Sequence, residues 1–174
     1  MSTAGDPEIT TRRAERDDID LLLADVQSGF DSYVEFAGPG WAPPDAFAGR
    51  EHNLEILSEP TTWAIIAFVG PAPAGHVAFF PARVPGAGAL IPGMAHVWQL
   101  FVLPEWWGRG VAPVLHGAAI AEMESRGYRQ ARLYTPTRHR RARRFYERRG
   151  WSAVGEEWND NLKLMLCQYR RALQ

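Results

Sequence analysis

Apolar residues along the chain fall into short runs separated by glycine and proline, and their spacing changes from run to run. Ile9 to Arg13 reads as a short first strand. After Asp17 and Asp18, which suit a helix start, Ile19, Leu22, Leu23 and Val26 recur at the three-to-four-residue spacing of an amphipathic helix. From Phe30 to Arg50 that period is lost. Phe30, Tyr33, Phe36, Trp41 and Phe47 are interrupted by Gly38-Pro39-Gly40 and Pro43-Pro44, which predicts broken helix and loop of the kind that lines a pocket mouth. Trp63 to Val69 and His76 to Phe80 are apolar runs bounded by Pro60, Gly70-Pro71 and Pro81, and they predict an antiparallel pair. Val84 to Gly93 predicts a Gly/Pro loop, whose Gly-Ala-Gly lacks the third glycine of a dinucleotide fingerprint.

His96 to Leu103 predicts the strongest strand, stopped by Pro104. Alternation places His96, Trp98 and Leu100 on one face and Val97, Gln99 and Phe101 on the other. A helix follows, with Pro113 in its first turn, where a missing N–H has no partner to lose, and Gly127 at its far end. Val111, Leu115 or Val114, Ala118 and Ala121 form its expected packing stripe. Arg132 to Thr135 reads as a strand, Thr137 to Arg149 as a helix ended by Gly150, and Trp151 to Glu156 and Leu162 to Tyr169 as the last strands. This order is an α/β pattern with a mixed sheet in a single domain, 1–174, without internal repeats.

Composition narrows the function classes. With 46% hydrophobic residues, 19 Lys+Arg against 20 Asp+Glu and a net charge of −1, the chain can fill one core and implies no large basic nucleic-acid surface. Seven arginines crowd the twelve residues from Arg138 to Arg149, yet a repeat of 3.6 residues spreads them around a helix, so a solvated face is expected and no nucleic-acid partner. One cysteine, Cys167, excludes an internal disulfide, and the first residues show no apolar signal core; a cytoplasmic location without membrane association is expected. The five histidines lack zinc-protease spacing and there is no cysteine pair, so no metal is expected. The one lysine, Lys163, follows no Gly-rich loop, which excludes a phosphate-binding loop.

The chemistry concentrates after the strand end, in Val102-Leu103-Pro104-Glu105-Trp106-Trp107-Gly108-Arg109-Gly110-Val111-Ala112. Glycine lets backbone approach a ligand, and the free N–H groups of a helix's first turn favour an anion, so a diphosphate could sit on the amides of Gly108 to Ala112. Taken alone, the two glycines serve a tight turn equally well.

The segment resembles the acetyl-coenzyme-A-binding motif of the GNAT superfamily of N-acetyltransferases, Val-x-Pro followed by Gln/Arg-x-x-Gly-x-Gly/Ala. Val102, Pro104, Gly110 and Ala112 match, and Arg109 fits common usage; Trp107 stands where Gln or Arg is usual. Downstream, His139-Arg-Arg-Ala142-Arg-Arg-Phe145-Tyr146-Glu147-Arg-Arg-Gly150-Trp151 is similar to the family's Asn-x-x-Ala-x-x-Phe-Tyr-Glu-x-x-Gly-Phe helix, with His139 in place of Asn. The resemblance implies a mixed, mostly antiparallel central sheet flanked by helices, with parallel strands that splay apart at the cofactor site. It implies acetyl-coenzyme A as co-substrate, its pantetheine on Leu100, Phe101 and Val102 and its diphosphate on Gly108, Arg109, Gly110, Val111 and Ala112; His139, in the Asn position, could still donate a hydrogen bond to the cofactor or else be an exposed helix-start histidine.

The implied reaction is direct transfer of acetyl to a primary amine of a small molecule or peptide. Tyr146 would protonate the leaving thiolate, the other reading being a core tyrosine on a helix face beside Phe145. His96, on the strand position from which some members present a glutamate, is a candidate base or else a hydrogen-bonded sheet histidine. Asp31, Glu35 and Asp45 could hold a cationic acceptor and Tyr33 or Trp41 stack on it; aromatic packing with solvated carboxylates is the other possibility. Trp107, His139 and the missing strand carboxylate also allow a catalytically impaired GNAT-fold module that keeps coenzyme A as a ligand. The last strands and the many aromatics make a homodimer an expectation.

Overall fold

The computed structural model describes residues 7–174. The first six residues, part of the stretch expected to lack an apolar signal core, lie outside the described residues. Seven strands form one sheet: β1 (Ile9–Arg13), β2 (Trp63–Val69), β3 (Ala72–Arg83), β4 (Leu90–Val102), β5 (Gln130–Pro136), β6 (Ser152–Asn159) and β7 (Leu164–Ala172), in the spatial order β1-β2-β3-β4-β5-β7-β6. Every neighbouring pair is antiparallel except β4 with β5. β2 is buried along almost its whole length, as its unbroken apolar run requires, whereas β6 is an exposed edge.

Helices α1 (Ile19–Ser32), α2 (Val34–Ala37) and α3 (Arg50–Ser58) precede the central strands, and α4 (Val111–Ser125) and α5 (Arg140–Glu147) follow them. The expected α1 stripe of Ile19, Leu22, Leu23 and Val26 is buried, and so is Asp25 among them. α4 buries Val111, Leu115, Ala119 and Met123, one residue per turn at a spacing of four. That stripe corrects the expected one: Val114 and Ala121 face solvent and Ala118 lies at its margin, because the buried row follows Val111 at steps of four and so keeps Leu115 and Ala119 inside. No helix among the described residues is long and apolar enough to cross a membrane.

Three boundaries differ from expectation. β3 continues through Pro81, which sits beside a register shift where a ladder N–H can be missing. β4 begins at Leu90, so only the tip of the expected Gly/Pro loop is a turn. α5 starts at Arg140 because Thr137 and Arg138 form the turn that positions His139 as its N-cap.

The register also changes the faces of β4. Ala78 pairs with Gln99 and Phe79 with Val97, leaving Trp98 as an extra residue. Beyond that bulge the alternation is inverted. Val97 therefore shares the α4 side with Leu100 and Val102, in one core with Val77, Phe79, Val111 and Leu115. His96 shares the opposite side with Gln99 and Phe101, against expectation.

Candidate functional site

β4 and β5 pair only at Met94↔Gln130, Ala95↔Ala131 and His96↔Arg132. Past these three pairs, two residues before the Trp98 bulge, the strands no longer pair. A cleft of about 870 Å³ opens between them, walled by Val97–Val102 of β4, Leu133–Thr135 of β5, the start of α4, α5, and Gly29, Ser32 and Tyr33 of the α1 end. The β4 backbone groups that face away from β3 have no strand partner there. α1 can approach this closely because position 29 is glycine, where any Cβ would overlap the Phe101 ring.

One end of the cleft is an amide cradle. Gly108 and Gly110 take φ of +72° and +88°, left-handed values that reverse the chain into α4. Among the described residues the amides of Gly108, Gly110, Val111 and Ala112 have no acceptor, and Pro113 has none to satisfy. The Trp107 indole donates to the Val102 carbonyl at 2.7 Å, and the Arg141 guanidinium lies 3.5 Å above its ring. Arg109 stacks on Trp106 at 5.5 Å.

Arg140, Arg141, Arg144, Arg148 and Arg149 all line the cleft, and none is in an ion pair among the described residues. The arginine run expected as a solvated face thus turns one flank toward the cradle. This cationic rim and the free amides fit a polyanionic ligand, and the strand gap fits an extended chain carrying amides.

Three tyrosines line the cleft, Tyr33, Tyr134 and Tyr146. Tyr146 is only 8% exposed, packed by Phe145, Trp151 and Tyr169, and its hydroxyl has no partner among the described residues. Burial, and secondarily the nearby Tyr33, raises its pKa well above the usual phenol value. Burial does the same to Tyr33. His139 accepts the Ala142 N–H on Nδ1 at 3.5 Å, which leaves the hydrogen on Nε2, and burial followed by Arg141 pushes its pKa down to about 4.

Other expected site residues lie elsewhere. His96 is not in the cleft wall; Arg132 Nε donates to its Nδ1 at 3.2 Å, and burial followed by that guanidinium lowers its pKa to about 3. Such an imidazole is a hydrogen-bonded sheet histidine and accepts no proton at neutral pH. Asp31 is exposed and takes the Gln27 amide, while Asp45 caps Phe47. Trp41 donates its indole N–H to the Leu162 carbonyl at 2.7 Å, a tether to the β6–β7 turn. Glu35 lines an adjoining cavity of about 640 Å³ with Phe36, Arg138 and Arg143, which shares His139, Arg140 and Arg141 with the cleft. Of the expected acceptor residues only Tyr33 is in the cleft.

A polar chain that the sequence did not disclose reaches the cleft through Gln99. His76 Nδ1 lies 2.7 Å from Asp25 Oδ2 and His76 Nε2 2.8 Å from Gln99 Oε1. The one sequence signal was a carboxylate, Asp25, inside the apolar stripe of α1. No group of three or more His, Cys, Asp or Glu that could hold a metal occurs among the described residues.

The acetyltransferase (GNAT) family model matches residues 26–151. Solved structures of similar shape include the PaiA N-acetyltransferase from Thermoplasma acidophilum in complex with coenzyme A, at 17% identity, covering 95% of this chain and 99% of that one with a TM-score of 0.69. The ribosomal-protein-S18-alanine N-acetyltransferase from Escherichia coli aligns at 13% identity over 96% of this chain and 95% of its own, TM-score 0.69. An N-acetyltransferase from Staphylococcus aureus aligns at 16% over 96% and 99%, TM-score 0.71. No curated protein matches by sequence.

Proposed function

The chain belongs to the GNAT acetyltransferase family, and on that premise we propose that it transfers an acetyl group from acetyl-coenzyme A directly to a primary amine of a small molecule or peptide. The splay of β4 from β5 beside the free amides of α4 carries this reading. Acetyl-coenzyme A supplies the acyl group as a thioester, which an uncharged amine attacks as the C–N bond forms and the C–S bond breaks.

Each wall has a task. The amides from Gly108 to Ala112, with Arg109 beside them, hold the diphosphate, and the rim arginines neutralise the remaining phosphate charge. Backbone groups of Leu100, Phe101 and Val102 that face away from β3 hold the pantetheine, with the Val102 carbonyl already engaged by Trp107. His139 presents Nε2–H to the ligand. Tyr146 delivers a proton to the departing thiolate, since its hydroxyl is unpartnered and burial keeps it protonated. His96 takes no part; the acceptor ammonium gives one proton to water before attack, and the second proton that the nitrogen sheds as the amide forms returns through water to Tyr146.

Tyr33 and its α1 neighbours form the acceptor wall. The cytoplasm is the proposed location, and the exposed Val154, Trp158 and Met165 on the β6–β7 face make a homodimer the proposed assembly.

Calorimetric titration with acetyl-coenzyme A, followed by thiol release against small amines, aminoacyl compounds and peptides, tests the reading. Binding with release for one amine class supports it. Binding without release for any of them favours a coenzyme-A-binding module, and no binding sinks the proposal.

A further inference from the structure

Four polar side chains from four elements meet where α1 packs on the sheet: Asp25 of α1, Asn53 of α3, His76 of β3 and Gln99 of β4. His76 is fully buried and Asp25 is 3% exposed. The hydrogens can be assigned from one end. Asn53 Nδ2 donates to the Gly49 carbonyl at 2.7 Å, so its Oδ1 faces Gln99. Gln99 gives that oxygen Nε2–H at 3.3 Å and turns Oε1 to His76. A carbonyl oxygen only accepts, so His76 Nε2 bears a hydrogen, and a further proton lies between Nδ1 and Asp25. Histidine and aspartate together are neutral, which lets the pair sit out of water.

We propose that Gln99 receives the nitrogen of the acceptor amine, and that Asp25 and His76 are positioning residues that fix the orientation of its carboxamide. The proposal rests on the amine-acetyltransferase reading above. Gln99 follows the Trp98 bulge, beyond the last β4–β5 pair, in the same cleft wall as Tyr33 and Tyr146. The inverted alternation places it on the α1 side, opposite Leu100 and Val102, and Trp98 supplies the one other polar side-chain group of this stretch of strand.

After its two bonds Gln99 retains a lone pair on Oε1 and one N–H. An amine that donates an N–H to Oε1 keeps its own lone pair free for attack. As the C–N bond forms the nitrogen becomes more positive and that N–H a stronger donor, so the contact tightens toward the transition state. A neutral carbonyl achieves this without the full negative charge that would hold the acceptor as an unreactive ammonium. An untethered carboxamide would offer either end, and its N–H end opposes an amine N–H. The hydrogen on His76 Nε2 holds Gln99 Oε1 on the β3 side and leaves Gln99 Nε2 on the α3 side, so the lone pair offered to the amine has one fixed position.

Steady-state kinetics with phenethylamine, alaninamide and Nα-acetyl-lysinamide test the assignment. Gln99→Leu is expected to raise KM for the amine about tenfold and lower kcat, the loss of one directed hydrogen bond, with the Kd of acetyl-coenzyme A unchanged. Asp25→Leu reproduces this, and Asp25→Asn, whose amide can donate to Nδ1, restores most of it. A merely structural pair would lower the melting temperature in Asp25→Leu without moving the amine KM, and that result overturns the positioning role. Gln99→Leu with wild-type kinetics overturns the Gln99 role alone; absence of thiol release from the wild type speaks against the acetyltransferase reading instead. In that case NMR of the Gln99 side-chain amide in the coenzyme A complex decides separately: its signals shift on adding the amines if Gln99 receives them, and unmoved signals overturn the proposal.

Discussion

The indole N–H of Trp107 donates to the carbonyl of Val102 at 2.7 Å, tying the entry of α4 back to the last residue of β4. With Arg141 stacked on the same ring, one side chain joins β4, α4 and α5 at the cleft mouth. A neutral hydrogen bond contributes about 1 kcal/mol. Trp107→Phe, which keeps the ring and removes the donor, should weaken acetyl-coenzyme A roughly fivefold by the same figure. Calorimetry of the two proteins checks this, and equal affinities would detach the Val102 carbonyl from the binding site.

Gly110 holds φ at +88°, and a Cβ there would come to 3.6 Å from Ile9 Cδ1. Gly110→Asp adds backbone strain of about 1 kcal/mol and a negative charge beside the free amides of α4. Affinity for coenzyme A should fall by more than about tenfold in a protein that still folds. Gly110→Ala, with the strain but not the charge, should lose less; unchanged binding in the folded Asp variant would move the diphosphate elsewhere.

Tyr146→Phe removes a hydroxyl that has no protein partner, so stability should change little. Turnover should fall about 100-fold, the scale of a lost general acid, while the Kd of acetyl-coenzyme A stays constant. A rate equal to wild type would give the acid role to water.

The two motifs made the cradle and Tyr146 legible because amide geometry and the Phe-Tyr pair are local in sequence. His96 misled because strand alternation was counted without the extra residue at Trp98, and nothing in the residues from His96 to Leu103 marks a bulge. Trp41 and Asp31 have the right chemistry for an acceptor pocket, yet their hydrogen bonds to Leu162 and Gln27 use it for packing. The Asp25–His76–Gln99 chain joins positions 51 and 23 residues apart, a tertiary pairing that no spacing rule encodes.

Three histidines resist protonation in the fold. Burial is the first cause for each, lowering His96 to about 3, His116 to about 4 and His139 to about 4; His116 Nε2 also accepts the Trp151 indole N–H at 2.9 Å. The unfolded chain takes up these protons near pH 6.5. Stability is therefore full above about pH 6.5 and falls as the pH drops toward 4, by about 1.4 kcal/mol per pH unit for each histidine. Urea unfolding at three pH values across that interval measures the slope, and a flat profile would contradict the burial of these rings.

Cys167 is buried in β7, outside the cleft wall, and burial pushes its thiol up. Cys167→Ala should keep full turnover at a stability loss of about 1 kcal/mol. Lost turnover with intact coenzyme A binding would argue for an acyl-enzyme and against direct transfer.

The short contact between β4 and β5 divides the sheet into two leaves, β1 to β4 and β5 to β7, stitched by hydrogen bonds over three residue pairs. Mechanically this is a seam with its fixed point at Met94–His96 and its open end at the cradle. Force that separates the leaves meets its least backbone resistance in the gap. A ligand whose own amides bridge the gap completes the missing ladder, so occupancy would lengthen the β4–β5 splice beyond its three pairs and make the loaded protein stiffer along one line, that of the cleft.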